Sequence, residues 1–213
     1  MGGPKKPGAR LSWTPVVLLV GLVVVVFGVT LVAGPLRSNR EATAVYPLPG
    51  RYANSYENDW GASREQGAHE GTNLYAPRGT PIFSITAGTV ASTLGTEDGW
   101  NSLGGYAVTI DADDAPAPME DGDSLYYAHL NAPTGLEPGD RIEAGQKIGE
   151  VGDSGGGPPG TRGRFVTHLH LGWYDGSAFG SRADAPSGAI NPYPLLRRLE
   201  RDGPTKSVTG EPG

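Results

Sequence analysis

The sequence predicts an all-β domain, a small antiparallel β-sandwich or split barrel, carried on one N-terminal transmembrane helix. Three observations predict this. The 34 glycines and 19 prolines, about a quarter of the chain, fall between short apolar, β-branched runs, which is the pattern of strands joined by tight turns. Gly139-Asp140-Arg141-Ile142 and Gly145-Gln146-Lys147-Ile148 repeat a turn followed by a short strand, like successive corners of a small barrel or sandwich. Val16 to Ala33 is an uncharged, almost wholly apolar run, near the length a helix needs to cross a bilayer.

The elements follow in order. Residues 1–14 read as a cytoplasmic N-terminus. Lys5, Lys6 and Arg10 precede the apolar run and no acidic residue occurs before Glu41, so the remainder of the chain should face outward. Residues 15–34 are the expected transmembrane helix, with Trp13 at the interface. The competing reading is a signal peptide cleaved near Ala42-Thr43-Ala44. The first leaves the protein membrane-bound with its C-terminal part extracytoplasmic; the second secretes it. Residues 35–64 are a linker broken by Pro47, Pro49 and Gly50. Its Tyr46, Tyr52, Tyr56 and Trp60 are too aromatic for a pure spacer, so its second half is expected to pack on the domain.

The folded domain is expected over 65–200. Strands are predicted at Thr80–Thr86, from Gly88 through Thr93, at Tyr106–Ile110 and at Ser124–Leu130, the last carrying His129. Thr96–Gly105 reads as a turn region, and the acidic, proline-containing stretch Asp111–Asp123 as an exposed hairpin loop. The glycine-rich loop Asp153–Arg164 leads into a strand around His168, and either walls a substrate groove or is a plain surface loop. Tyr193–Leu199 reads as a short helix and 201–213 as a disordered tail.

Composition excludes several functions. There is no cysteine, hence no disulfide framework, thiolate metal site or cysteine nucleophile. Any metal must be held by histidine, carboxylate or amide. The whole chain carries −6, and without Lys5, Lys6 and Arg10 the outward part is more acidic still. With no basic stripe, nucleic acid is not a partner.

All four histidines fall in three short segments: His69-Glu70-Gly71-Thr72-Asn73, Tyr126-Tyr127-Ala128-His129-Leu130 and Thr167-His168-Leu169-His170-Leu171. Histidine is the commonest zinc ligand and the commonest base near neutral pH. Residues two apart in a strand share a face, so His168 and His170 can enter one site together. His69-Glu70 is not the start of a His-Glu-x-x-His helix. The fifth residue is Asn73, and Gly71 and Thr72 disfavour a helix.

These segments resemble the signature segments of the lysostaphin-like (LytM-type) zinc endopeptidases, which cut peptidoglycan peptides. The similarity runs over about residues 65–195 and includes Gly71–Val90 and the Gly139–Gly149 corners. It implies a zinc ion held by His69, Asn73 and His170. It also implies His129 and His168 as catalytic residues that orient and deprotonate water and protonate the leaving amine. The substrate implied is a peptide of the bacterial wall. One residue departs from the pattern: Asn73 stands where the family has an aspartate ligand. An amide oxygen can ligate zinc, but it is neutral and a weaker donor; a displaced water or another carboxylate could fill the gap.

Two further readings compete with a zinc endopeptidase. Asn73 favours a catalytically degenerate domain that binds wall peptides or regulates other cell-wall proteins. The Gly139–Gly149 pattern also occurs in biotinyl and lipoyl carrier domains, but Lys147 lies inside a predicted strand rather than at a hairpin tip.

Overall fold

The computed structural model describes residues 2–3, 43–65, 67–94, 100–113, 115–176 and 188–202. The expected transmembrane segment 15–34 and the tail from residue 203 lie outside the described residues. Among the described residues no helix is long and apolar enough to cross a membrane.

The described chain is mostly β, with very little helix. Its strands are β1 (Ser63–Arg64), β2 (Gly67–Ala68), β3 (Thr72–Tyr75), β4 (Pro81–Phe83), β5 (Gly88–Leu94), β6 (Ala107–Ala112), β7 (Ser124–Ala128), β8 (Arg141–Ile142), β9 (Lys147–Glu150), β10 (His168–Tyr174) and β11 (Ala189–Ile190). A short 3-10 helix at Gly50–Tyr52 precedes the strands, and one α-helix, α1 (Tyr193–Arg201), closes the described part. Seven strands form one antiparallel sheet in the order β11-β10-β7-β6-β5-β8, and β3 also pairs with β10. β3 and β11 share one edge of β10: β3 takes His168–Leu171 and β11 takes Trp173 and Tyr174. Two-stranded pieces β1-β2 and β4-β9 complete the fold.

Strand alternation sorts β10 into two faces. Leu169, Leu171 and Trp173 are buried in the core, and His168 and His170 take the other face. β7 does the same, with Leu125 and Tyr127 inward and Tyr126 and Ala128 outward. In β3, Thr72 and Leu74 face in and Asn73 and Tyr75 face out. Each fully buried leucine, isoleucine or valine contributes about 1.5–3 kcal/mol to holding this face down. Two polar groups on core aromatics are satisfied: Ile85 N donates to Tyr127 Oη at 3.0 Å, and Trp173 Nε1 donates to Asp123 at 2.8 Å.

Several predicted elements shift. The Thr80–Thr86 strand shortens to β4, because the chain turns at Ser84–Thr86. The Tyr106–Ile110 strand begins one residue later and continues to Ala112, paired with β5 and β7, so the acidic loop is shorter. The terminal helix runs on to Arg201, burying Leu195, Leu196 and Leu199. The Ser124–Leu130 strand stops at Ala128, before His129. The predicted linker joins the core shortly before its midpoint: Tyr46 and Leu48 are almost fully buried. Val45 N donates to Ile85 O, and Phe83 N to Pro47 O, both at 2.9 Å.

Candidate active site

The outward faces of β3, β7 and β10 form the floor of a groove of about 1250 Å³. Register places its residues. His170 lies opposite Asn73 on one neighbour and opposite Ala128 on the other. Ser63–Glu65, Gly67–His69 and the segment Arg164–Val166 form its walls. The fold thus brings together His69, Asn73, His129, His168 and His170, five residues drawn from three distant segments.

Three donor atoms converge at one end. His69 Nε2 is 3.1 Å from His170 Nδ1, which is 3.2 Å from Asn73 Oδ1. His69 Nδ1 faces the Asp59 main-chain oxygen at 3.2 Å and the Asp59 carboxylate at 3.1 Å. Both are acceptors, so Nδ1 carries the hydrogen and Nε2 presents a lone pair to the cluster. Burial above all, and then the other three histidines, pushes His170 well below the ordinary imidazole range. It is therefore neutral and able to donate a lone pair. Donors on a tetrahedral zinc at 2.0–2.1 Å are separated by about 3.3 Å, close to the spacing found here. The residues present therefore fit a zinc ion held by two imidazoles and an amide oxygen.

The other two histidines lie beside this cluster. The His129 and His168 ring centroids are 4.6 Å apart, and His129 is 6.0 Å from His170. His129 has a φ of 60°, in the left-handed region. Following Ala128, it would point into the core if the strand continued. The backbone turn rotates its ring back into the groove instead. Its Nδ1 donates to Ser154 O at 2.8 Å, and His168 Nδ1 donates to Val166 O at 2.6 Å. In each ring Nε2 is left as the basic nitrogen. Burial is the main reason both pKa values are lowered, to about 4 for His129, whose second cause is the neighbouring His168. Phe165 covers His129 at 4.7 Å between centroids.

Five contributors were not read from the sequence as site residues. Asp59 lies in the predicted linker and gave no motif signal. Arg64 binds Asp59 at 3.0 Å from the hairpin β1-β2. Tyr126 contacts the His170 ring edge-to-face at 6.1 Å, and its hydroxyl is buried without a hydrogen-bond partner among the described residues. Burial first, then Tyr174, raises its pKa above the ordinary phenol range, so the hydroxyl keeps its proton. Ser154 opens the glycine-rich loop and fixes His129. Its Oγ donates to Leu130 O at 2.8 Å and accepts from Tyr106 N at 3.0 Å. Asp153, tied to Arg78 at 2.5 Å, anchors the same loop. The loop's position before a histidine strand was the only available signal.

Comparison with known proteins gives a consistent result. The profile of Peptidase family M23 matches residues 67–180. An L-Ala--D-Glu endopeptidase of Bacillus subtilis (strain 168) is 38% identical over 161 residues, covering 73% of this chain and 44% of that protein. The chain thus spans less than half the length of that relative. A crystal structure assigned as a candidate glycyl-glycine endopeptidase LytM from Ruminococcus gnavus ATCC 29149 is 33% identical, with a TM-score of 0.59, covering 76% of this chain and 62% of that one. The catalytic domain of lysostaphin from Staphylococcus simulans shares the fold, with a TM-score of 0.50 at 22% identity, covering 70% of this chain and 98% of that one.

Proposed function

This chain belongs to Peptidase family M23, a family of metalloendopeptidases, and from that membership we propose that it hydrolyses peptide bonds of bacterial peptidoglycan with one zinc ion. The observation that carries the reading is the convergence of His69 Nε2, His170 Nδ1 and Asn73 Oδ1 beside two neutral histidines. Zinc bound there would polarise the scissile carbonyl and make water a competent nucleophile.

The protein's own groups do the rest. His129 Nε2 and His168 Nε2 are bare, because each ring's Nδ1 proton is committed to a main-chain carbonyl. Either can accept the proton of the attacking water and return it to the departing amine. As each takes up that proton, its charge is felt by developing negative charge on the substrate oxygen. The groove walls hold the peptide extended over the sheet face, and Phe165 limits solvent access to His129. The name of the B. subtilis relative makes the bond between L-Ala and D-Glu the first substrate to try.

The apolar run Val16–Ala33 and its basic flank support placing the domain at the outer face of the cytoplasmic membrane, near newly made wall. The test is zinc content of the full chain by elemental analysis, with digestion of purified peptidoglycan. About one zinc per chain with release of new amino termini is expected. No zinc in the wild type, with zinc and cleavage gained in Asn73→Asp, would instead make this a wall-binding domain.

A further inference from the structure

The ligand set that fits zinc here is neutral, since Asn73 replaces a carboxylate with an amide, yet a carboxylate stands one bond away. Asp59 meets His69 Nδ1 on the side of the ring opposite the donor cluster, at 3.1 Å. The contact is built into the main chain. Gly61 N donates to His69 O, and His69 N donates to Ala62 O, each at 2.9 Å, so the segment carrying Asp59 is clamped to His69 itself. Ser55 O accepts from Tyr75 N at 2.9 Å, fixing the same segment to β3, the strand of Asn73. Arg64 holds Asp59 Oδ2 at 3.0 Å. Asp59 Oδ1 is buried with no hydrogen-bond partner among the described residues.

We propose that Asp59 is the positioning residue of the zinc site: it fixes the His69 tautomer and supplies, through the imidazole, part of the negative charge that Asn73 lacks, the remainder being offset by Arg64. A carboxylate on the far nitrogen of a metal-binding imidazole orients the ring and makes its ligating nitrogen a better donor. Glu70, next to His69 in sequence, makes no such contact among the described residues; the needed carboxylate arrives from the segment preceding the domain. This inference rests on the zinc reading above.

The experiment measures zinc affinity of the full chain by competition with a chromophoric chelator, for wild type, Asp59→Asn, Asn73→Asp and the double variant. Asp59→Asn keeps the shape and an acceptor oxygen but removes the charge. It should weaken zinc by about 10–100-fold in the wild-type background, and by several-fold less once Asn73→Asp has restored a ligand carboxylate. Equal affinity of wild type and Asp59→Asn would overturn the proposal, as would the same loss in both backgrounds. Independently of any variant, nitrogen-15 NMR of the metal-free wild type should show His69 as the Nδ1–H tautomer. The Nε2–H tautomer would overturn it. Zinc uptake by wild type separates the two readings: if there is none, the zinc enzyme itself fails, whereas uptake indifferent to Asp59 removes only the positioning role.

Discussion

His129 Nδ1 donates its hydrogen bond to the carbonyl oxygen of Ser154 at 2.8 Å, and this bond decides which nitrogen of His129 faces the groove. It also stabilises a left-handed backbone that costs a non-glycine residue roughly 1–2 kcal/mol. His129→Ala should leave zinc content unchanged and lower turnover by about 10²–10⁴-fold, the range for a lost general acid–base group. Ser154→Ala keeps the carbonyl but loses the hydroxyl bridge to Leu130 and Tyr106. We expect about a tenfold lower turnover, again with full zinc. Steady-state hydrolysis of wall peptides beside elemental analysis checks both. Full activity in His129→Ala would remove it from the mechanism.

His170→Ala behaves differently. His170 Nδ1 is the atom shared between His69 Nε2 and Asn73 Oδ1, so its loss leaves only two of the three donors, too few to hold the metal. Zinc and activity should disappear in the same preparation, while the fold persists because Leu169 and Leu171 still anchor β10. Retained stoichiometric zinc would contradict the ligand assignment.

Much of this geometry was legible in the sequence, for a local reason. In a strand, alternation alone separates Leu169 and Leu171 from His168 and His170, and the short histidine segments are self-contained. What was not legible depends on contacts between distant segments. Asp59 is ten residues before His69 in a stretch with no periodicity, and only the clamp of Gly61 and Ala62 onto His69 brings it to the ring. The turn at His129 is equally hidden. Tyr-Tyr-Ala-His-Leu reads as an unbroken strand, and the reversal at His129 is imposed from outside, by Gly104 O accepting from its N–H and by Ser154. The middle of the linker was underestimated because Tyr46 and Leu48 bury themselves against strands that follow much later.

Stability of the metal-free chain should fall as the pH drops from about 6.5 towards about 4. In the folded protein His129 stays neutral down to about 4, chiefly because it is buried; unfolded, it takes a proton at about 6.5. Above that range both states are neutral and the contribution is complete. Within it only the unfolded state gains a proton, so folding loses ground, by up to ~3 kcal/mol from this residue. His168, also lowered by burial, adds in the same direction. Thermal unfolding of the metal-stripped chain across this range is the measurement. His129→Leu should flatten the profile, and an unchanged slope would show that His129 is not the group responsible.

Gly71→Ala tests how tightly the zinc site is packed. A Cβ at Gly71 would stand 2.5 Å from His170 Cε1, 2.7 Å from His170 Nε2 and 2.7 Å from the main-chain oxygen of Leu171. Real Cβ atoms do not approach so closely, so something must move. Leu171 O belongs to β10, which is paired with β3 on one side and β7 on the other, and displacing it would disturb both ladders. The cheaper response is rotation of the His170 ring, which carries Nδ1 away from His69 and Asn73. The variant should therefore fold with a modest loss of stability, about 1–3 kcal/mol, but bind zinc at least tenfold more weakly. Chelator competition and thermal unfolding read the two effects separately. Wild-type zinc affinity in Gly71→Ala would mean the ring has room that the close contacts deny, and that His170 is not held where the metal site requires it.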